Sequence, residues 1–322
     1  MVKFAATGRM IYLNGEMVPE REAKLHVLSC AVKYGATVFE GICAYKSHDG
    51  QDLNIFRLPE HLVRLQDSMR IMRFEHDWSN DHLEKVVLDV IRANEMNEDN
   101  HIRLSAYVLG EGFVDTTAPV ALGCLVVGRH EKSLADKAIR AQVSSWRRID
   151  DSTMPPRLKC AANYHNGRLA TIQARADGYN EAILLTQSGK VSESAGACLF
   201  AIRNGVPLTA PVTGNILESV TRATVIELLE KELGLKVDQR EIDRTELYVS
   251  EEIFLCGSGY EITPIVNVDG LAVGSGKVGP LTQAIWDKYE AAVRGKLPGR
   301  EAWLTPVYGK GRDRQARAAA GE

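Results

Sequence analysis

The sequence predicts a mixed α/β fold, with helices and strands interspersed as in α+β proteins, divided into two domains. Three observations support this. The chain has 322 residues, the length of about two domains. Strand-like and helix-like stretches follow one another without regular βα alternation, which argues against a doubly wound parallel sheet. One polar segment of mixed charge, 128–136 (GRHEKSLAD), interrupts two strand-like runs and reads as a connection between domains. The expected division is therefore 1–127, a connecting loop over 128–136, 137–308, and a tail over 309–322 whose small and polar residues suggest disorder.

The elements follow in order. Met10–Leu13 and Glu16–Pro19 read as strands joined by the turn pair Asn14-Gly15. A helical segment is expected over Val27–Tyr34. Gly41–Tyr45 and Leu53–Arg57 read as a hairpin with Asp49-Gly50 in its loop. Pro59 opens a helix, where its missing N–H costs little, and Leu58, Leu62, Leu65, Met69 and Met72 recur at helical spacing. A second helix is expected over Asp81–Asn94, then strands over His101–Leu109 and Ala121–Val127. In the second half, Ala138–Trp146 is a strand, and Lys159 stands between Pro155-Pro156 and a helix over Tyr164–Ala176. Strands follow at Glu181–Thr186, Val191–Glu193 and Leu199–Arg203. Val220–Leu233 is a helix stopped by Gly234, and a last helix covers Leu281–Val293.

Composition excludes several classes. The chain is 45% hydrophobic and 25% charged, with a net charge of −3. That is an ordinary globular profile, and it gives no reason to expect nucleic acid or an anionic membrane as partner. No stretch approaches the roughly 18 apolar residues of a membrane span, and the start lacks a signal-peptide core, so the cytoplasm is expected. The 6 cysteines form no C-x-x-C pair and match no metal-ligand spacing. They read as reduced, buried thiols, and no metal is expected.

Several residues could carry chemistry. Lys159 lies among apolar and small neighbours in PRLKCAANY. A desolvated lysine loses its proton more readily and attacks carbonyls to form Schiff bases, although a lysine there can equally snorkel to the surface. Glu193 in KVSESAGACLF would suit a pyridine nitrogen, or simply face solvent from a strand. Val220 and Thr221 open a helix whose free N–H groups favour an anion, though an ordinary capped helix starts the same way. The turn Gly257-Ser258-Gly259 can present N–H groups as an anion nest, and it is not a dinucleotide fingerprint. In HIRLSAY the polar residues His101, Arg103, Ser105 and Tyr107 share one strand face. Arg103 there could grip a carboxylate, or the face could be wet. Arg64 lies off the apolar stripe of its helix, positioned for a phosphate or for solvent.

The joint order of these stretches resembles fold-type IV enzymes dependent on pyridoxal 5'-phosphate (PLP), and among them the branched-chain amino acid aminotransferases of class IV. The matching stretches run from Ile11 to Glu301. They include KYGATVFEGICAY, FRLPEHLVRLQDSMRIM, HIRL, VSSWRR, LKCAANY, DGYNEAILL, VSESAGACLF, ILESVTR and EEIFLCGSGYEITPIVNVDG. The resemblance implies a small N-terminal α/β domain, a larger C-terminal pseudo-barrel domain, PLP between them, and a homo-oligomer of two or more subunits. It implies Lys159 as the catalytic residue, bound to PLP as a Schiff base and later moving the proton. It implies Tyr164 at the phenolic oxygen, Glu193 at the pyridine nitrogen, and Arg64, Val220, Thr221 and Ser258 at the phosphate. Ser258 and Gly259 would meet the substrate carboxylate. Tyr34, Phe39, Gly41, His101, Arg103 and Arg129 would line the substrate pocket.

The chain also departs from the family. Cys43 stands where Arg usually follows F-E-G-I, and His101 where a Tyr is common. Cys198 replaces an Asn, Ser219 replaces a Gly, and the connection carries Arg129 and His130 in place of aromatic residues. The resemblance implies ping-pong transfer of an amino group from leucine, isoleucine or valine to 2-oxoglutarate. The departures keep open an (R)-selective amine or D-amino acid transaminase of the same fold. A non-catalytic binding protein that kept the fold is the alternative of a different class.

Overall fold

The structure is a computed structural model that describes residues 8–130 and 132–309. The strands in chain order are β1 (Met10–Leu13), β2 (Glu16–Pro19), β3 (Thr37–Lys46), β4 (Leu53–Phe56), β5 (Asn100–Val108), β6 (Val120–Gly128), β7 (Ile139–Arg147) and β8 (Glu181–Leu185). They continue with β9 (Val191–Ser194), β10 (Cys198–Arg203), β11 (Val206–Thr209), β12 (Asp238–Gln239), β13 (Glu252–Gly257), β14 (Glu261–Val268), β15 (Leu271–Ala272) and β16 (Leu304–Pro306). The helices are α1 (Cys30–Tyr34), α2 (Leu58–Ile71), α3 (Asn80–Ala93), α4 (Tyr164–Ala176), α5 (Val220–Glu232) and α6 (Pro280–Val293).

The chain separates into two compact units. The first is built on a seven-stranded sheet in the order β16-β4-β3-β5-β6-β1-β2, antiparallel at every pairing. The β1–β2 turn uses positive φ at both Asn14 (50°) and Gly15 (97°), the hairpin geometry that this residue pair favours. Helices α2 and α3 pack against this sheet. The stripe of Leu58, Leu62, Leu65 and Met69 is buried, each side chain contributing about 1.5–3 kcal/mol relative to exposure. Ser79 caps α3, its side chain accepting from the His82 N–H.

The second unit is a nine-stranded mixed sheet in the order β12-β11-β10-β13-β14-β7-β8-β9, with β15 on β14. Strands β9 and β10 lie at the end and third in that order, yet the Ser194 N–H donates to Ala197 O at 2.8 Å just before β10. The sheet must therefore curl back on itself. Its interior is filled by Val143, Ile183, Leu199, Leu255, Ile265 and their neighbours.

Three expectations change. The helix expected from Val27 begins only at Cys30, because Ser29 turns back on His26 through both its N–H and its hydroxyl. Gly128 is not connection but the last residue of β6, paired with Asn100. The units are also not continuous in sequence: among the described residues, 159–162 and 291–309 cluster with the first unit, and 132–158 and 163–290 form the second. The cause is pairing, since Cys160 bridges Val38 and β16 pairs with β4. The tail expected over 309–322 lies outside the described residues beyond Gly309. All 6 cysteines are buried and none is in a disulfide. No helix of the described residues is long and apolar enough to cross a membrane.

Candidate functional site

In the first unit the chemistry gathers around β3. Antiparallel register sets Phe39 opposite Ser105, Gly41 opposite Arg103 and Cys43 opposite His101, so these six share one sheet face. The Arg103 guanidinium lies over the Phe39 ring at 3.2 Å from its centroid. A Cβ on Gly41 would come within 2.9 Å of His101 Nε2, so only glycine leaves the imidazole this place. Arg129 reaches the same face, with Nη1 at 2.9 Å from Cys43 Sγ and 3.5 Å from Tyr45 Oη.

Lys159 runs along the edge of β3 that β4 leaves uncovered. Its carbonyl accepts from the Phe39 N–H at 3.0 Å, and its own N–H donates to Ser68 Oγ on α2 at 3.3 Å. Its Nζ stands 4.9 Å from the Phe39 centroid. Burial, followed by the charges of Arg129, Arg103 and Lys159, pushes the His101 imidazole down to about 4. His101 is therefore neutral at physiological pH, and it can donate or accept without adding a fourth positive charge to the face.

Behind that face, β3 turns Glu40 toward α2. Its carboxylate is fully buried and takes Arg64 Nε at 2.8 Å, Arg64 Nη2 at 2.6 Å and His61 Nδ1 at 2.7 Å. Burial works to raise the Glu40 carboxyl, but the Arg64 charge and the hydrogen bonds from Arg64 and His61 hold it well below the usual range. Two of the Arg64 nitrogens, Nε and Nη2, are thereby fixed on a buried acid. Tyr34 ends α1, 44% exposed, with Lys33 over its ring.

In the second unit Glu193 is the centre. Its Oε1 accepts from Arg148 Nε at 3.1 Å, Arg148 Nη2 at 2.7 Å and the Leu217 N–H at 3.1 Å. Its Oε2 meets only the Cys198 thiol, at 3.5 Å, among the described residues. Burial raises the Glu193 carboxyl, opposed by the Arg148 charge. A buried carboxylate oxygen with only a thiol donor has the capacity for a further N–H.

Helix α5 begins three residues after Leu217, whose N–H binds Glu193. Ser219 caps the helix by accepting the Arg222 N–H at 3.1 Å. The N–H groups of Val220 and Thr221 precede the helical ladder and take no partner among the described residues. Such an N-terminus favours an anion. Ser258 and Gly259 form the turn between β13 and β14, and a Cβ on Gly259 would meet nothing within 4 Å. Tyr164 is the first residue of α4. Gly167, one turn on, lets α4 approach so closely that a Cβ would fall 2.8 Å from the Ala195 carbonyl oxygen.

The first unit therefore brings together Lys159, Phe39, Gly41, His101, Arg103 and Arg129, with Arg64 on the opposite side of β3. The second holds Glu193, Tyr164, Val220, Thr221, Ser258 and Gly259. Sequence reasoning missed Glu40, His61 and Arg148. A signal existed for the first, since an acid inside the apolar run VFEGICAY needs a buried partner.

The family model for amino-transferase class IV matches residues 37–268. A probable branched-chain-amino-acid aminotransferase of Aquifex aeolicus is 40% identical over 303 residues, covering 93% of this chain and 97% of the relative. The structure of the branched-chain aminotransferase from Thermoproteus uzoniensis with norvaline superposes with a TM-score of 0.88 at 38% identity, over 93% of this chain and 99% of that one. The branched-chain amino acid aminotransferase from Thermobaculum terrenum, in its PLP-bound holo form, gives a TM-score of 0.88 at 35% identity, over 94% of this chain and 99% of that one.

Proposed function

The chain belongs to the class IV amino-transferases, among the branched-chain-amino-acid aminotransferases, and on that premise we propose that it moves amino groups between branched-chain L-amino acids and 2-oxoglutarate with Lys159 as its catalytic amine. The cofactor is PLP, which when bound supplies the aldehyde that takes the amino group and the ring that draws electrons from the α-carbon. The observation that carries the reading is the half-occupied Glu193 carboxylate: three donors on Oε1 and only a thiol on Oε2. This is the acceptor that a protonated ring nitrogen requires.

The other residues divide the work. Lys159 Nζ would hold the cofactor aldehyde and, once the substrate amine has displaced it, would take the proton from the substrate α-carbon and return it. Tyr164 donates its phenol to the cofactor's phenolic oxygen. The N–H groups of Val220 and Thr221, the Thr221 hydroxyl, Ser258 and Arg64 hold the phosphate. The Ser258 and Gly259 N–H groups meet the substrate α-carboxylate. Phe39, Gly41 and Tyr34 accept an aliphatic side chain. Arg103, with His101 and Arg129 beside it, takes the distal carboxylate of glutamate. Half-reactions then alternate, an amino acid leaving as keto acid before the second keto acid enters.

The protein acts as a homo-oligomer. Val27 (67% exposed), Val32 (50%), Phe113 (80%) and Val114 (73%) are large apolar side chains in water. Lys33 Nζ donates to Gly112 O at 2.7 Å and ties α1 to the loop that carries Phe113. An apolar patch of this kind suits a second copy. Six unbridged thiols suit a reducing compartment, and the cytoplasm is the one proposed.

Initial rates with L-leucine, D-alanine and (R)-1-phenylethylamine, each against 2-oxoglutarate, test the substrate. Turnover of L-leucine well above the other two is expected. A preference for either of the others would assign the chain to a D-amino acid or (R)-amine transaminase, for which Cys43 beside Arg129 on the substrate face is the structural ground. A chain that binds PLP and turns over none of them would be a binding protein.

A further inference from the structure

The first turn of α5 holds a buried cation that the proposed chemistry leaves unused. Arg222 is 5% exposed. Its Nε donates to Thr209 Oγ1 at 3.3 Å, and its Nη2 to Ala210 O at 2.8 Å and Gln239 Oε1 at 2.9 Å. All three acceptors are neutral, and no carboxylate pairs with Arg222 among the described residues. The buried thiols Cys198 and Cys256 lie within reach of its charge, but burial raises both, so neither supplies a negative charge. Glu193, the nearby acid that also acts on these thiols, is already held by Arg148.

A buried guanidinium is ordinarily offset by an anion, since hydrogen bonds to neutral groups satisfy its donors without cancelling its charge. Here the helix makes the imbalance larger. The unpaired N–H groups of Val220 and Thr221 and the positive end of the α5 macrodipole add to the same sign. This end of the unit therefore carries a buried positive charge that no carboxylate pairs with among the described residues.

We propose that Arg222 is a positioning residue that sets the site's preference for a phosphorylated ligand: its uncompensated charge, acting through the α5 N-terminus, favours a doubly charged phosphate that the guanidinium does not touch. This rests on the reading that α5 holds the cofactor phosphate. Arg222 contributes field and helix placement, and the Val220 and Thr221 groups make the contact. In the loaded protein the phosphate is the missing counterion, so binding relieves a strain of the unloaded chain.

The test compares PLP with pyridoxal, which lacks the phosphate. The full-length chain, stripped of cofactor, is titrated with each by visible absorbance. The wild type favours PLP. R222Q, neutral but still hydrogen-bonding, lowers the PLP-to-pyridoxal affinity ratio about tenfold, the scale of one charge acting on another through a protein interior. R222K keeps the charge and holds the ratio within about threefold of wild type. Q239E supplies an internal carboxylate in place of the Gln239 oxygen 2.9 Å from Nη2. It lowers the ratio about threefold and raises the melting temperature of the unloaded chain, the charge being exposed and partly screened. A residue that merely braced the helix would weaken both ligands together. An unchanged ratio in R222Q, or equal losses in R222K and R222Q, overturns the proposal. If R222Q does not fold, an unchanged ratio in Q239E does so. A wild type that binds both ligands equally removes the phosphate site itself, a distinct failure.

Discussion

Replacing Arg148 with Met tests how Glu193 is kept charged. The two side chains are 9% and 5% exposed, and two guanidinium nitrogens converge on Oε1 at 3.1 and 2.7 Å. Removing the cation leaves a buried carboxylate with one backbone N–H and a thiol, a loss of about 3–5 kcal/mol near neutral pH. The loss should depend on pH, with a definite sign. Burial raises the folded-state pKa of Glu193 above its unfolded value. The stability linked to this group is therefore fully present below the unfolded pKa and is lost as pH rises through the folded one. Removing Arg148 moves the folded value higher still, so each pH unit below it recovers up to about 1.4 kcal/mol. Urea unfolding of wild type and R148M at pH 5.5 and pH 8 measures this, with the larger deficit expected at pH 8. The double variant R148M/E193Q, which removes both charges, should be more stable than R148M alone. Equal deficits at the two pH values, or a double variant no better than the single, would refute the buried-pair account.

Three further outcomes follow from the same geometry. G167A places a Cβ 2.8 Å from the Ala195 carbonyl oxygen. Backbone cannot yield there, so urea unfolding should show a loss of roughly 1–3 kcal/mol; a change under half that range would contradict the close approach. His101, pushed down to about 4, should show no NMR inflection between pH 5.5 and 8. The stability linked to its depressed pKa is fully present above the unfolded value and is lost progressively as pH falls from there to about 4; an NMR inflection near the ordinary histidine value would show that the burial argument is wrong. S219A removes the hydroxyl that accepts the Arg222 N–H. About 1 kcal/mol of stability should be lost, with PLP bound more weakly by equilibrium titration, and unchanged affinity would count against α5 as the phosphate cup.

Local signals in the sequence set most element limits. The span expected for α4, Tyr164–Ala176, is the span observed, and Ser79, Ser219 and Gly234 mark helix ends by capping and left-handed backbone chemistry that any sequence reading can use. The alternation in HIRLSAY correctly puts His101, Arg103 and Ser105 on one face, because strand period needs no tertiary information. What lies across from that face was not legible. Glu40 meeting Arg64 and His61 depends on how α2 docks on β3, and periodicity reports only which side of α2 is apolar. Arg148 meeting Glu193 is likewise a contact 45 residues apart. The placement of 159–162 with the first unit arises from its contacts with Val38, Phe39 and Ser68, which no composition shift announces. Site chemistry was legible largely through resemblance, since Lys159 and Glu193 each carry an ordinary alternative when taken alone.

The most direct test concerns the Lys159 amine, which stands at the edge of β3 with its Nζ over Phe39. The purified chain is loaded with PLP, reduced with borohydride, digested and mapped by mass spectrometry. The pyridoxyl label should be found on Lys159 and should vanish in K159A while the fold is retained. A label on another lysine, or none on a folded chain saturated with cofactor, would contradict the assignment of this residue as the catalytic amine.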